Sequence, residues 1–194
     1  MSSDPKREQI IKVASRIFGK YGFQKTTMDE IARTAHRAKG SIYYYFRSKK
    51  DLFLAVVGQE MDTLKEALMN ASKEDKDVTS VMRNYMLTRM KVLEGAVNYH
   101  ETLKADFLET FEFLDELRNE MDNFEADLLS EILQKGVDKK SFAIKDVKKT
   151  AQVIIMAMKA LEIPFFLQNK IKEYEQTIVE LLDILISGLE KGTR

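Results

Sequence analysis

Residues 27–50 read TMDEIARTAHRAKGSIYYYFRSKK, and the fold follows from this stretch. Thr27 with Glu30 three residues later is a capping box, in which the threonine oxygen accepts from a backbone N–H and the glutamate reaches back. Behind it Met28, Ile31, Ala32 and Ala35 recur at helical spacing and predict a buried stripe. After a short turn a further helix is expected from about Lys39 to Tyr45, with Ile42 and Phe46 facing inward. Ser48 and Asp51 form another capping box and open a long helix from Lys49 to about Ala71.

Outward from this core the pattern stays helical. Upstream, Pro5 suits a first-turn position, Ile10, Ala14, Ile17 and Tyr21 share one face, and Gly22 is expected to close a helix begun near Asp4. Downstream, the polar stretch 72–77 marks a boundary. Helices are expected at about 78–98, 101–119, 121–136, 146–166 and 170–190, with breaks near Tyr99-His100, Arg118-Asn119 and Gly136 to Ser141, and after Pro164. Only 2 prolines and 8 glycines interrupt a chain that is 44% hydrophobic. The expectation is an all-α protein of about nine helices, with one domain over residues 1–50 and a second over 51–194.

Cysteine is absent, which excludes disulfides, thiolate nucleophiles and cysteine-ligated zinc or iron–sulfur centres. The N-terminal residues lack the apolar centre of a signal peptide. The apolar run Val153–Met158 is far shorter than the roughly 20 residues of a membrane span. A cytoplasmic protein without a membrane partner is expected, and no cofactor is indicated.

The net charge is zero, yet residues 1–50 hold 12 basic against 4 acidic residues, and the rest holds 19 against 27. The first part is thus built for a polyanion that the remainder would repel. A short helix packed on two others can lie in the major groove of DNA with its first residues on base edges. Lys39 reaches a base edge or phosphate, Gly40 lets the backbone approach, and Ser41 offers a short hydroxyl. Tyr43, Tyr44 and Tyr45 present flat surfaces with polar tips, and at least one of them must face away from the core. Arg47, Lys49 and Lys50 meet phosphates, helped by the helix start at Lys49; Thr27 sits at another helix start, and Arg37 adds a further phosphate contact.

Residues 8–54 resemble the DNA-binding domain of the TetR family of repressors. The resemblance is carried by IFGKYGF at 17–23, TTMDEIA at 26–32 and KGSIYYYFRSKKDL at 39–52. It implies that Lys39, Ser41 and Tyr43 stand at base- and phosphate-contacting positions, and Thr27, Tyr44 and Lys49 at phosphate-contacting ones. It also implies a homodimer whose C-terminal domain binds an inducer and whose last two helices pair with those of a second subunit. The turn His36-Arg37-Ala38 departs from the family pattern of glycine, aliphatic residue and capping serine or threonine. Ala38 cannot cap, and His36 is expected in a left-handed conformation.

Beyond residue 78 no motif stands out. Apolar side chains there are flexible or aromatic, which suits a pocket for an apolar or amphipathic small molecule. The candidates are Met86, Met90, Phe107, Phe111 and Phe124, with Tyr85, Tyr99 and His100 as polar anchors. The last two helices carry broad apolar faces, and Ile154, Met158, Leu161, Ile178, Leu181, Leu182 and Leu185 are the candidate dimer residues. Two-fold symmetry would match a palindromic double-stranded operator. The function expected is a sequence-specific transcriptional regulator, a repressor released by its ligand.

Two other readings compete. Asp106, Glu109, Glu112 and Glu116 lie near one helical face, as in a di-metal carboxylate enzyme, but the Glu-x-x-His pairs of that chemistry are missing because Val97 precedes His100 and Arg33 precedes His36. No phosphate loop, nucleophile elbow or dinucleotide fingerprint occurs. An enzyme is not expected. The alternative of an interaction module with a basic head is separated from the repressor by binding to duplex DNA.

Overall fold

The computed structural model describes residues 4–73, 77–104, 112–168 and 171–190; the side chains of 171–175, 177 and 178 are outside that description. Among the described residues the chain is helical, with no strand beyond one isolated bridge between Phe142 and Glu190. It divides into two compact units. The first comprises residues 1–62 and 96–117, the second 63–95 and 118–194.

In the first unit α1 spans Pro5–Lys25, capped by Asp4, whose carboxylate accepts from Lys6 N at 2.8 Å. The stop expected at Gly22 is instead a kink. Gly22 has φ 80 and ψ 162, and one further turn follows it. A side chain there would meet strain from the positive φ and a Glu101 Oε1 only 2.8 Å from its Cβ. α2 covers Met28–Thr34 and α3 Lys39–Tyr45. α4, Lys49–Ser72, begins in this unit and ends in the other. Ile10, Ala14, Phe18, Ile31, Ile42, Leu52 and Phe53 form the core. Phe23 packs against Phe53 at 4.9 Å between ring centroids and against Phe113 at 5.9 Å.

The first unit is completed by α6, Val97–Lys104, and a 3₁₀ turn, Glu112–Leu114. A break was expected at Tyr99-His100, but both residues lie inside α6, and the chain breaks at Gly95-Ala96. The Glu60 carboxylate explains where α6 starts. It accepts from Asn98 N at 3.2 Å, Tyr99 N at 2.8 Å and Asn98 Nδ2 at 2.7 Å, meeting the positive end of the helix. Burial pushes the Glu60 carboxyl above its usual range, and these bonds pull it back.

The second unit packs α5 (Val78–Glu94), α7 (Asp115–Asp138, from Arg118 onward), α8 (Val147–Glu162) and α9 (Ile171–Leu189), with a π-helical turn at Ile163–Leu167. Asp77 caps α5 and Asp146 caps α8. No break occurs at Arg118-Asn119. α7 runs through it, because Asn119 and Glu120 fall on an exposed face while Met121 and Glu125 are buried. Phe142 folds back onto α7 so tightly that a Cβ at Gly136 would lie 2.1 Å from its ring. Met82, Tyr85, Met86, Leu129, Leu133, Ala151 and Met158 build the core.

Candidate nucleic-acid interface

The helix-turn-helix owes its shape to local chemistry. The Thr27 hydroxyl accepts from Glu30 N at 3.2 Å, forming the expected cap of α2. At its other end Arg37 N donates to Ala32 O at 3.0 Å and His36 N to Arg33 O at 3.2 Å. That pair is a Schellman motif, which requires a left-handed residue at His36, and His36 has φ 51. Ala38 gives α3 no side-chain cap, and Ser41 N donates to its carbonyl at 2.9 Å.

α3 is fixed from one face only. Ile42 is fully buried, whereas Lys39, Gly40, Tyr43 and Tyr44 are exposed and Ser41 is half-buried. Tyr44, at 83% exposure, stands furthest out. Nothing lies within 4 Å of a Cβ built on Gly40, so the backbone is open to close approach there. Tyr45 faces the other way, and its hydroxyl donates to Asp4 Oδ2 at 2.7 Å. That bond lowers the Asp4 pKa and raises the Tyr45 pKa.

The cations around α3 are not equally available. Lys39 pairs with Asp29 at 2.7 Å, both well exposed, and its pKa is raised by that hydrogen bond. Arg37 Nη2 donates to Gln9 Oε1 at 2.8 Å. Arg47 and Lys50 are exposed, with Lys50 Nζ above the Phe113 ring. Lys49 is different. Its ammonium donates to the carbonyls of Phe23 at 2.8 Å, Thr26 at 3.0 Å and Gln24 at 3.4 Å, and lies 4.4 Å from the Phe23 ring centroid. Partial burial lowers its pKa. Lys49, expected at a phosphate, is held here in a clasp on the end of α1, whose last carbonyls lack helical partners.

The candidate effector residues fall in three places. Tyr85, Met86, Met90 and Phe124 belong to the second unit; Tyr99 and His100 belong to α6 in the first; Phe107 and Phe111 lie outside the described residues. Of these, Phe124 lines a cleft of about 810 Å³ in the second unit, with Met69, Val78, Val81 and Leu128 among its apolar walls and Lys73, Lys135 and Lys139 at its edge. Tyr85, Met86 and Met90 are buried on α5.

Sequence reasoning missed the polar cluster beside them. Arg89, 2% exposed, donates from Nε to Glu125 at 2.9 Å and from Nη2 to Glu162 at 2.7 Å. A signal was present: each of the three sits at a core position of its helix, between apolar residues three or four places away.

The candidate dimer residues lie at different depths within their own unit. Met158 and Leu182 are buried within their own unit and Ile154 nearly so, Leu161, Leu181 and Leu185 are half-buried, and the side chain of Ile178 is outside the description. Among the described residues, the exposed large apolar side chains of α8 and α9 are Val153, Met156, Val179 and Ile184. On α8 the regularly spaced residues Ala151, Ile154, Ile155 and Met158 face its own core, and the exposed Val153 and Met156 are offset from them.

The sequence profile described as "Bacterial regulatory proteins, tetR family" matches residues 10–56. The HTH-type transcriptional regulator YhgD of Bacillus subtilis is 30% identical over 97% of this chain and 98% of its own. The chain belongs to the TetR family. Among other TetR-family relatives, the HTH-type transcriptional regulator QacR of Staphylococcus aureus is 23% identical over 95% of this chain and 98% of its own. The fold matches that of the transcriptional regulator FadR from Bacillus subtilis, solved in complex with stearoyl-CoA, with a TM-score of 0.75 and 21% identity over 94% of this chain and 99% of that one. This TetR-family chain is thus a DNA-binding transcriptional regulator and not an enzyme, and the carboxylate-enzyme reading falls.

Proposed function

We propose that this TetR-family regulator acts in the cytoplasm as a homodimeric repressor that holds operator DNA through α3 and releases it when an apolar or amphipathic molecule enters the second unit. One observation carries the DNA-binding half: Lys39, Gly40, Tyr43 and Tyr44 are exposed on one face of a helix anchored from behind by Ile42. Base edges are read by Lys39, Ser41 and Tyr43. Thr27, Arg37, Tyr44, Arg47 and Lys50 hold phosphates and set register without reading sequence. Dimerisation uses the outward faces of α8 and α9, where Val153, Met156 and Ile184 are exposed.

Release requires that the ligand bind better to the arrangement with displaced reading heads, since a ligand with equal affinity for both shifts nothing. The methionine-rich interior of α5 supports an apolar ligand, as does the stearoyl-CoA bound by the similar FadR. α4 supplies residues to both units and is the natural element to transmit the change. Titration of a labelled operator duplex at several salt concentrations tests the DNA half. Affinity should fall linearly in log–log form with a slope near the number of phosphates neutralised. Salt-independent binding, or a monomer at micromolar concentration, would refute the reading.

A further inference from the structure

The buried cluster on α5 has hydrogen-bonding capacity that the other described residues leave unused. Tyr85 is fully buried and Arg89 nearly so, and among the described residues neither Tyr85 Oη nor Arg89 Nη1 has a hydrogen-bond partner. Such groups are rare in protein interiors and call for an explanation, because a buried donor without an acceptor loses its solvation and gains nothing. The two residues are four apart on one helix, so they present to the same face.

We propose that the second unit receives, on Tyr85 Oη and Arg89 Nη1, a neutral hydrogen-bond-accepting group such as an ester or ketone carbonyl carried by an otherwise apolar molecule. This assignment rests on the reading above that the second unit binds an effector, and it names the part of the molecule that is recognised.

Charge selects the chemistry. Arg89 already faces two carboxyl groups, those of Glu125 and Glu162. Burial pushes the Glu125 carboxyl above its ordinary range, the sign of a site that resists further negative charge. A carboxylate ligand would add a third acidic group around one guanidinium. A cationic ligand would bring donors to the donor-only nitrogen of Arg89 and be repelled by it. A plain hydrocarbon would leave both donors unmade. A carbonyl oxygen has two lone pairs, adds no net charge, and can accept from both.

The surroundings allow entry. Met82, Met86 and Met90 form the neighbouring stripe of α5, and unbranched thioether side chains repack around inserted groups at low cost. Glu162 is followed directly by the π-helical turn at Ile163–Leu167, a geometry frequent at functional sites.

The test uses the full chain and Tyr85→Phe, a change that removes one oxygen and leaves the packing. Methyl esters of the straight-chain C8 to C14 acids are titrated calorimetrically beside alkanes, carboxylates and alkylammonium ions of matching length, and operator release is followed separately. At least one ester should bind more tightly than its alkane, carboxylate and ammonium counterparts. Its affinity should fall about tenfold in Tyr85→Phe, while the ligand-free variant melts no lower than the wild type. Absence of ester binding, tighter binding of the carboxylate or ammonium ion, or equal affinity in Tyr85→Phe would overturn the assignment. An ester that binds as expected yet leaves the protein on its operator would refute the release mechanism and keep the anchor. Release by another compound with no ester bound would do the reverse.

Discussion

Tyr45 Oη donates to Asp4 Oδ2 at 2.7 Å while the other oxygen of the same carboxylate caps α1 by accepting from Lys6 N. One aspartate therefore ties the start of the first helix to the end of the reading helix, 41 residues away. The orientation of α3 on its support depends on this bond as well as on Ile42.

Asp4→Ala should lower thermal stability and weaken operator binding, whereas Asp4→Asn, which keeps the cap through its one oxygen and turns an amide NH2 that can only donate toward Tyr45, should be milder in both. The Asp4 pKa lies below its usual value in the folded protein, first through Tyr45. Its contribution is therefore present above the ordinary aspartate range and lost as pH falls through the lowered folded value. Melting curves of wild type and Asp4→Ala should converge at acid pH. Equal DNA affinity in the two proteins would deny Asp4 a role in presenting α3.

Lys49 and Lys50 are neighbours with opposite assignments. Lys50→Ala should leave stability unchanged and reduce the salt slope of operator binding by roughly 1, the value for one phosphate contact. Lys49→Ala should leave the slope unchanged and cost about 1 kcal/mol of stability, the discounted worth of a partly exposed ammonium holding three carbonyls. Denaturant titration and binding isotherms read the two effects apart. The reverse pattern would mean that Lys49 leaves its carbonyls for the duplex.

Side chains on the open face of α3 should alter which sequence is preferred, not how salt acts. Ser41→Ala or Tyr43→Phe is expected to lose about 1–3 kcal/mol of discrimination at one base pair each, with unchanged binding to random duplex. Selection from a randomised operator library measures this. A uniform loss across all sequences would place both residues on the backbone of the DNA.

Much of this architecture was legible in the sequence, and the reasons are local. Thr27 and Ser48 cap within three residues of themselves, and each bond forms where the spacing put it, at 3.2 Å and 3.1 Å. His36 was marked for a left-handed turn by the resemblance, which places it where the family carries glycine, and it has φ 51. What was not legible depends on contacts distant in sequence. Lys49 reads as one more surface cation until the three carbonyls of residues 23–26 are brought to it. Arg89 meets Glu125 and Glu162 across 36 and 73 residues. On α8 buried Ile154, Ile155 and Met158 lie beside exposed Val153 and Met156, and periodicity alone could not say which face inward.

That ambiguity makes a discriminating pair of variants. Met158, 2% exposed, should cost about 2–5 kcal/mol when replaced by alanine, because its removal leaves a cavity. Met156, 69% exposed on the same helix, should tolerate alanine, and Met156→Glu should yield a folded monomer with weakened operator binding. Sedimentation velocity and thermal melts separate the outcomes. A dimeric Met156→Glu protein would move the interface elsewhere.

The Arg89 cluster predicts its own response to mutation and to pH. Arg89→Met would leave Glu125 and Glu162 buried without their cation and should cost about 3–5 kcal/mol. Glu125→Gln removes one of two acidic groups and should cost less. In the wild type, burial keeps the Glu125 carboxyl above its ordinary pKa in the folded chain. Folding therefore favours the protonated form there, so this contribution is fully present below the ordinary glutamate range and is lost as pH rises through the folded value. Glu125→Gln cannot titrate, and its stability should vary less with pH across that window than the wild type does. Should the two curves run parallel from mildly acidic to neutral pH, Glu125 would have to share a solvated environment, and the closed polar interior that Arg89 and Tyr85 define would be open to water.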